Sequence, residues 1–212
     1  MRLIFFFLLA FQLNASYLDY VFENRETSSN SFGQSGLIQI PSADIKPEGS
    51  IGLTFNKNNI YKIGTLTVSP FDWMEASYFY YRPSDLFWGG TPGLYLDKGF
   101  NVKFNKKIPF IFNTNVAIGL DDFAGTGLFS REYFAFTSNL NYLKVTAGIG
   151  WGKYNGQNKY KNPLSKISNK FDIREGFELQ AIYETGRPST DKWFRGPVGY
   201  FGGAEIFLPK SN

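Results

Sequence analysis

The chain reads as an all-β protein: an antiparallel transmembrane β-barrel or part of one, with about 9–10 strands. Three observations point there. Apolar residues alternate with small or polar ones over short segments, which is the period of a strand. Aromatics make up 19% of the 212 residues and gather at segment ends, where rings and hydroxyls suit a lipid–water boundary. Long connections alternate with short ones, as between the two sides of a membrane barrel. A secreted β-sandwich also has period-two strands, but these strands set an apolar face against a small or polar one rather than a charged one.

The elements follow in order. Met1-Arg2, the apolar run 3–11 and the small residue Ala15 have the order of a secretory signal peptide, residues 1–15. The run is shorter than the about 20 residues a membrane-spanning helix needs. Residues 16–34 are polar and read as a flexible lead-in; residues 35–212 read as a single β-barrel domain, whole or partial. Strands are expected over 51–56, 60–69, 73–82, 100–105, 112–120, 133–140, 145–152, 177–184 and 198–207. In the seventh, Val145, Ala147, Ile149 and Trp151 oppose Thr146, Gly148, Gly150 and Gly152. Residues 37–40 are a candidate tenth. Trp73, Trp88, Trp151, Trp193, Tyr61, Tyr81, Tyr133 and Tyr183 stand near strand ends.

Composition excludes most catalytic chemistry. With no Cys there is no disulfide, thiolate nucleophile or zinc finger. With no His there is no imidazole base and no histidine-ligated metal. No cofactor is expected, and neither an enzyme nor a nucleic-acid binder is, since the net charge is only +4.

Several segments, in order along the chain, carry a resemblance. They are Gly36-Leu37-Ile38-Gln39-Ile40-Pro41-Ser42-Ala43, Pro47-Glu48-Gly49, Pro70-Phe71-Asp72-Trp73-Met74-Glu75-Ala76 and Asp97-Lys98-Gly99-Phe100. Gly119-Leu120-Asp121-Asp122-Phe123-Ala124-Gly125-Thr126-Gly127-Leu128-Phe129-Ser130, Gly148-Ile149-Gly150-Trp151-Gly152 and Phe201-Gly202-Gly203-Ala204-Glu205 complete them. This series resembles the YjbH/GfcD family of outer-membrane proteins linked to exopolysaccharide and capsule production, in a short or truncated form. The resemblance implies a non-enzymatic outer-membrane barrel in polysaccharide biosynthesis, export or assembly. It implies a Gram-negative-type outer membrane, with lipid, lipopolysaccharide, exopolysaccharide and other export proteins as partners. A general small porin or structural outer-membrane protein, and a secreted sugar-binding β-sandwich, stand as alternatives.

Two candidate sites stand out. The family-like turn holds Asp121 and Asp122 with Gly125 and Gly127; paired carboxylates serve acid–base work or hard cations, but here they read as a tight turn. Arg131 and Glu132 read as an exposed pair at the barrel mouth, which contributes little. The second is a basic loop, Lys153, Lys159, Lys161, Lys166 and Lys170, with Tyr154 and Tyr160. It suits lipopolysaccharide phosphates or an acidic polysaccharide, with the tyrosines stacking on sugar rings.

Overall fold

The computed structural model describes residues 27–84, 87–88, 91–92, 95–108, 113–140, 142–156, 160–175, 188 and 190–207. It is all-β and antiparallel. Two small hairpins, β1 (Gly36–Leu37) with β2 (Ile40–Pro41) and β6 (Phe87–Trp88) with β7 (Thr91–Pro92), flank one eight-stranded sheet. That sheet comprises β3 (Ile51–Lys57), β4 (Tyr61–Phe71), β5 (Met74–Pro83), β8 (Asp97–Ile108), β9 (Thr114–Asp121), β10 (Arg131–Leu140), β11 (Leu143–Gly150) and β12 (Gly199–Ile206). It is a meander in sequence order. No helix among the described residues is long and apolar enough to cross a membrane.

The expected strands within the described residues appear, with ends shifted by a few residues. The count differs. Residues 37–40 do not join the large sheet; Ile38, at φ 45°, turns them into the β1–β2 hairpin. The expected strand 177–184 lies outside the described residues, and β12 pairs directly with β11, Gly150 opposite Gly199. Among the described residues the large sheet therefore has eight strands. It does not close into a barrel among the described residues: β3 pairs only with β4 and β12 only with β11. Pro70, which has no N–H to donate, falls where the β4–β5 register shifts between Val68 and Phe71.

Alternation gives the sheet two unlike faces. Ile51, Leu53, Phe55, Leu66, Tyr80, Phe100, Phe104, Phe136, Val145, Tyr200 and Ile206 point outward and are exposed. Thr65, Thr67, Ser77, Asn101, Lys103, Thr137, Lys144 and Thr146 point inward and are buried. The polarity is inverted relative to a water-soluble sheet, whose apolar face is the buried one.

A strap of residues 27–46 lies along the inner face and satisfies its polar groups. It reaches all eight strands. The Ser31 carbonyl accepts from Asn56 on β3, the Phe32 and Gly33 carbonyls from Thr65 and Thr67 on β4, and Ser35 donates to Glu75 on β5. Lys103 on β8 donates to the Ser35 and Asp44 carbonyls, Asn115 on β9 to Asp44, and Ala43 N–H to Thr137 on β10. Asp44 pairs with Lys144 on β11 at 2.9 Å, and Ser28 donates to Glu205 on β12. The two edge strands thus flank the same few residues, 28–31, and the sheet curls around the strap. Residues 27–34, expected as the end of a flexible lead-in, are folded into this interior; Asn30 and Gln34 are buried. Gly33 (φ 82°) passes so close to Thr65 that a Cβ would lie 2.6 Å from it.

The aromatics expected at a lipid boundary divide. Trp73 is exposed and stacks on Phe71 and Phe104 at the short-turn end. Tyr61 and Tyr133 instead point inward, and Trp151 is buried against Phe134 and Phe194. Trp88 and Tyr183 have no described side chains. Alternation places a ring at a strand end on either face, so position along the strand alone does not choose.

Candidate functional site

The long connections after β5, β9 and β11 meet at one end of the sheet, and the family-like turn sits there between β9 and β10. Asp121 closes β9 inward and Arg131 opens β10 inward. They are opposite each other in register and pair at 3.0 Å. Gln34 of the strap donates to Asp121 at 2.6 Å, and the Tyr154 hydroxyl does so at 3.4 Å. The Arg131 guanidinium lies over the rings of Phe32 and Tyr154, at 4.2 and 4.7 Å; such cation–π contacts strengthen when desolvated. Burial pushes the Tyr154 hydroxyl above its ordinary range, so it remains a neutral donor.

Asp122 leaves the strand at φ 53°, a left-handed conformation that Asp and Asn tolerate best among non-glycine residues. Its backbone N–H donates to Asn101, and its carboxyl accepts from Phe129 N–H at 3.2 Å. Gly125 has no Cβ to collide with that carboxyl, which packs directly on it. Burial, then the neighbouring Asp97, pushes the Asp122 carboxyl up to about 8. Asp122, Gly125 and Gly127 (φ 71°) thus lie in one tight turn that begins at Asp121.

These residues wall a cavity of about 400 Å³, within the usual range of roughly 300–1,000 Å³ for small-ligand sites. Aromatic faces of Phe32, Phe79, Tyr81 and Phe129 line one part; Asn101, Asp122, Arg131 and Lys153 supply polar groups. Asp122 Oδ1 and Arg131 Nε are buried with no hydrogen-bond partner in the structure. An apolar ring wall beside polar side chains suits a polyhydroxylated ring, which has C–H faces and hydroxyls together. No group of three or more potential metal-ligating side chains occurs among the described residues.

The basic loop does not form one site. Lys153 stands on the cavity rim, 5.6 Å from the Phe129 ring centre. Tyr154 is part of the interior, packed edge-on against Tyr133, and is not a free ring on a loop. Tyr160 is half exposed and packs on Tyr200. Lys161, Lys166 and Lys170 are exposed on a separate segment of short 3₁₀ turns held by buried Asn162. Lys159 lies outside the described residues. Arg131 and Glu132 do not pair with each other, since neighbours on a strand face opposite ways. Glu132 faces outward under the β11–β12 connection, where Arg174 holds it at 2.5 and 2.9 Å.

The strap's partners escaped sequence reasoning. A signal existed: Lys103, Asp121, Arg131 and Lys144 fall in the small-and-polar phase of their strands, and charges in that phase need an internal partner.

One prediction follows from the Asp122 carboxyl. Its folded-state value, about 8, lies above the ordinary 3.8, so its contribution to stability is full below about pH 4 and lost as pH rises through about 8. Asp122→Asn keeps the left-handed backbone and carries no charge. Thermal melts from pH 5 to 9 should show wild type losing stability toward pH 9 and the variant losing less. Parallel curves would assign the decline to other groups.

Comparison with known proteins comes from two sides. The family model described as YjbH, exopolysaccharide biosynthesis protein, matches residues 28–212. The uncharacterized lipoprotein YjbH of Escherichia coli (strain K12) is 32% identical over 189 residues, covering 86% of this chain and 26% of that protein. The chain therefore spans about a quarter of that relative's length. No solved structure matches.

Proposed function

Because the chain belongs to the YjbH family of exopolysaccharide biosynthesis proteins, we propose that it is a β-barrel component of an outer membrane, acting without catalysis in export or assembly of a surface polysaccharide. An N-terminal signal peptide would carry it there. The observation that carries this reading is the inverted sheet. An apolar outer face over a polar, strap-filled interior is costly in water and suits lipid. Outward aromatics at both ends of that face, Phe71, Trp73 and Phe104 at one and Tyr78, Tyr80 and Phe100 toward the other, match interfacial girdles. A sugar-binding β-sandwich would bury its apolar faces between sheets. The strap across the inner face favours docking and assembly over conduction through this sheet, and so speaks against a general porin. The cavity beside Lys153 and Phe129 is the place where a polysaccharide would be held. Asp121, held by Arg131 and Gln34, and Asp122, enclosed in its turn, serve structure in this reading.

The test combines membrane fractionation with gel mobility of heated and unheated protein, and surface-polysaccharide measurement after gene deletion. Recovery in the soluble fraction without detergent overturns the membrane reading; unchanged polysaccharide overturns the biosynthetic one. Phe136→Arg on the outer face of β10 gives a sharper measure. Arg costs about 2–4 kcal/mol at the centre of a lipid-facing barrel wall. The folded fraction recovered in membranes should fall steeply, whereas in a water-facing sheet the same change would be harmless.

A further inference from the structure

Two separate segments each deliver one fixed group to the wall of the cavity. The first follows β11. Trp151 is buried against Phe134 and Phe194, and Tyr154 turns inward beside Arg131. Lys153 is therefore held between two anchored rings, on the single 3₁₀ turn Gly152–Tyr154. Its backbone N–H donates to the Ser130 carbonyl at 3.3 Å, which ties this turn to the start of β10. The second segment is the turn after β9. Phe129 N–H donates to the Asp122 carboxyl at 3.2 Å, and the Phe129 ring packs on Tyr81 at 4.6 Å between centres. The Lys153 ammonium stands 5.6 Å from the centre of that same ring. It is a positioned cation beside an aromatic wall, unlike the exposed lysines at 161, 166 and 170.

Charge on the lining can be counted. Its charged side chains are Asp121, Asp122, Arg131 and Lys153. Asp121 and Arg131 neutralise each other at 3.0 Å. Asp122 is buried in its turn, and burial with the neighbouring Asp97 pushes its carboxyl up to about 8, so it keeps its proton at neutral pH. Lys153 forms no ion pair among the described residues. Glu175, which lines the adjoining open groove together with Arg174 and Lys192, is not within ion-pair distance of it. The wall thus carries one positive charge that the protein itself leaves unanswered, next to the rings of Phe79, Tyr81 and Phe129.

We propose that the cavity takes an acidic sugar unit, a uronic acid, with its carboxylate on Lys153 and a C–H face of its ring on Phe129. This rests on the reading above that the cavity holds a polysaccharide. One unanswered ammonium matches one carboxylate, and hydrogen bonds between ionised groups are among the stronger ones. A neutral sugar would stack on the rings and leave Lys153 to water. A phosphorylated sugar brings roughly two negative charges, of which Lys153 can meet only one. The volume of about 400 Å³ lies toward the small end of ligand sites, so it fits one or two sugar units rather than a run of polymer. The site then selects by the charge of a single unit.

The test uses the folded full chain in detergent micelles and ligand-observed NMR titrations at neutral pH. The probes are the methyl glycosides of glucuronic and galacturonic acid, those of neutral glucose and galactose, and glucose 6-phosphate. At least one uronoside should bind about tenfold more tightly than its neutral parent, the usual worth of a hydrogen bond to a charged group. High salt should erase that preference and leave the weaker binding of the neutral sugar. K153Q should also abolish the preference while still binding both sugars weakly. F129A should weaken both, because the ring wall serves both. Lys153 is exposed, so K153Q should keep the wild-type tryptophan spectrum, which reports on the neighbouring Trp151. Equal binding of acidic and neutral sugars overturns the inference, as does a preference that survives in K153Q. Glucose 6-phosphate binding as tightly as the uronosides overturns it too, since that marks generic anion binding. These outcomes leave the polysaccharide reading standing. A folded chain that binds none of the sugars overturns the reading of the cavity itself, and this inference with it.

Discussion

A Lys103→Met variant is expected to lose about 3–5 kcal/mol of folding stability, the usual cost of removing one partner of a buried ion pair. Lys103 and Glu75 are 1% and 2% exposed and meet at 3.1 Å. The ammonium also donates to the Ser35 carbonyl at 2.9 Å and the Asp44 carbonyl at 3.1 Å, so its three protons are all used. Glu75 accepts from Ser35 N–H at 3.0 Å and from the Ser35 hydroxyl. The pair is thus the knot that ties the strap to β5 and β8. With Met at 103, Glu75 is left as a buried charge facing two neutral donors. The double variant Glu75→Gln/Lys103→Met removes both charges and should recover much of the loss. Denaturant unfolding in detergent, followed by tryptophan fluorescence, measures both. A single variant unfolding at the wild-type midpoint would mean that the strap is held by its backbone contacts alone.

The second large effect concerns the connection between β11 and β12. Arg174 donates to both oxygens of Glu132, to the Ser130 hydroxyl at 2.7 Å and to the Lys192 carbonyl at 2.8 Å. Phe194 N–H donates to the same carboxylate at 3.0 Å. One guanidinium therefore clamps residues 160–175 and 190–198 of the connection to the start of β10. Arg174→Ala leaves Glu132, 1% exposed, with a single neutral donor, again at about 3–5 kcal/mol. Trp151, packed under Phe194 at 5.2 Å between ring centres, should then become exposed. Limited proteolysis should cut within 160–198 in the variant while the strands resist. Arg174→Lys should rescue only in part, because an ammonium cannot engage a carboxylate with a planar fork. Proteolysis at the wild-type rate would show that the aromatic contacts suffice.

The strands of the large sheet were legible residue by residue, because a strand's signature is local. Ile51, Leu53 and Phe55 against Gly52, Thr54 and Asn56, or Val145, Ala147 and Ile149 against Thr146, Gly148 and Gly150, declare two faces with no knowledge of any neighbour. The turn at Asp121–Gly127 was legible for the same reason: acidic and glycine residues at fixed short spacing make a turn wherever they occur. Tyr154 was misplaced on an open loop because nothing local shows that it folds back over Gly150 to reach Arg131 and Asp121.

By itself, then, the sequence determined where the described strands lie, their two-faced character and the family. The tertiary structure alone decided what fills the polar side. Residues 27–46 have neither period, since they bond to side chains as far away as Lys144 and Glu205. Each of those donors and acceptors would be solvated in an unfolded chain, and becomes a requirement only when the sheet curls and removes the water. The same curling converts Lys103 and Asp121 from polar marks in an alternating pattern into buried charges, each held by a partner that sequence distance conceals.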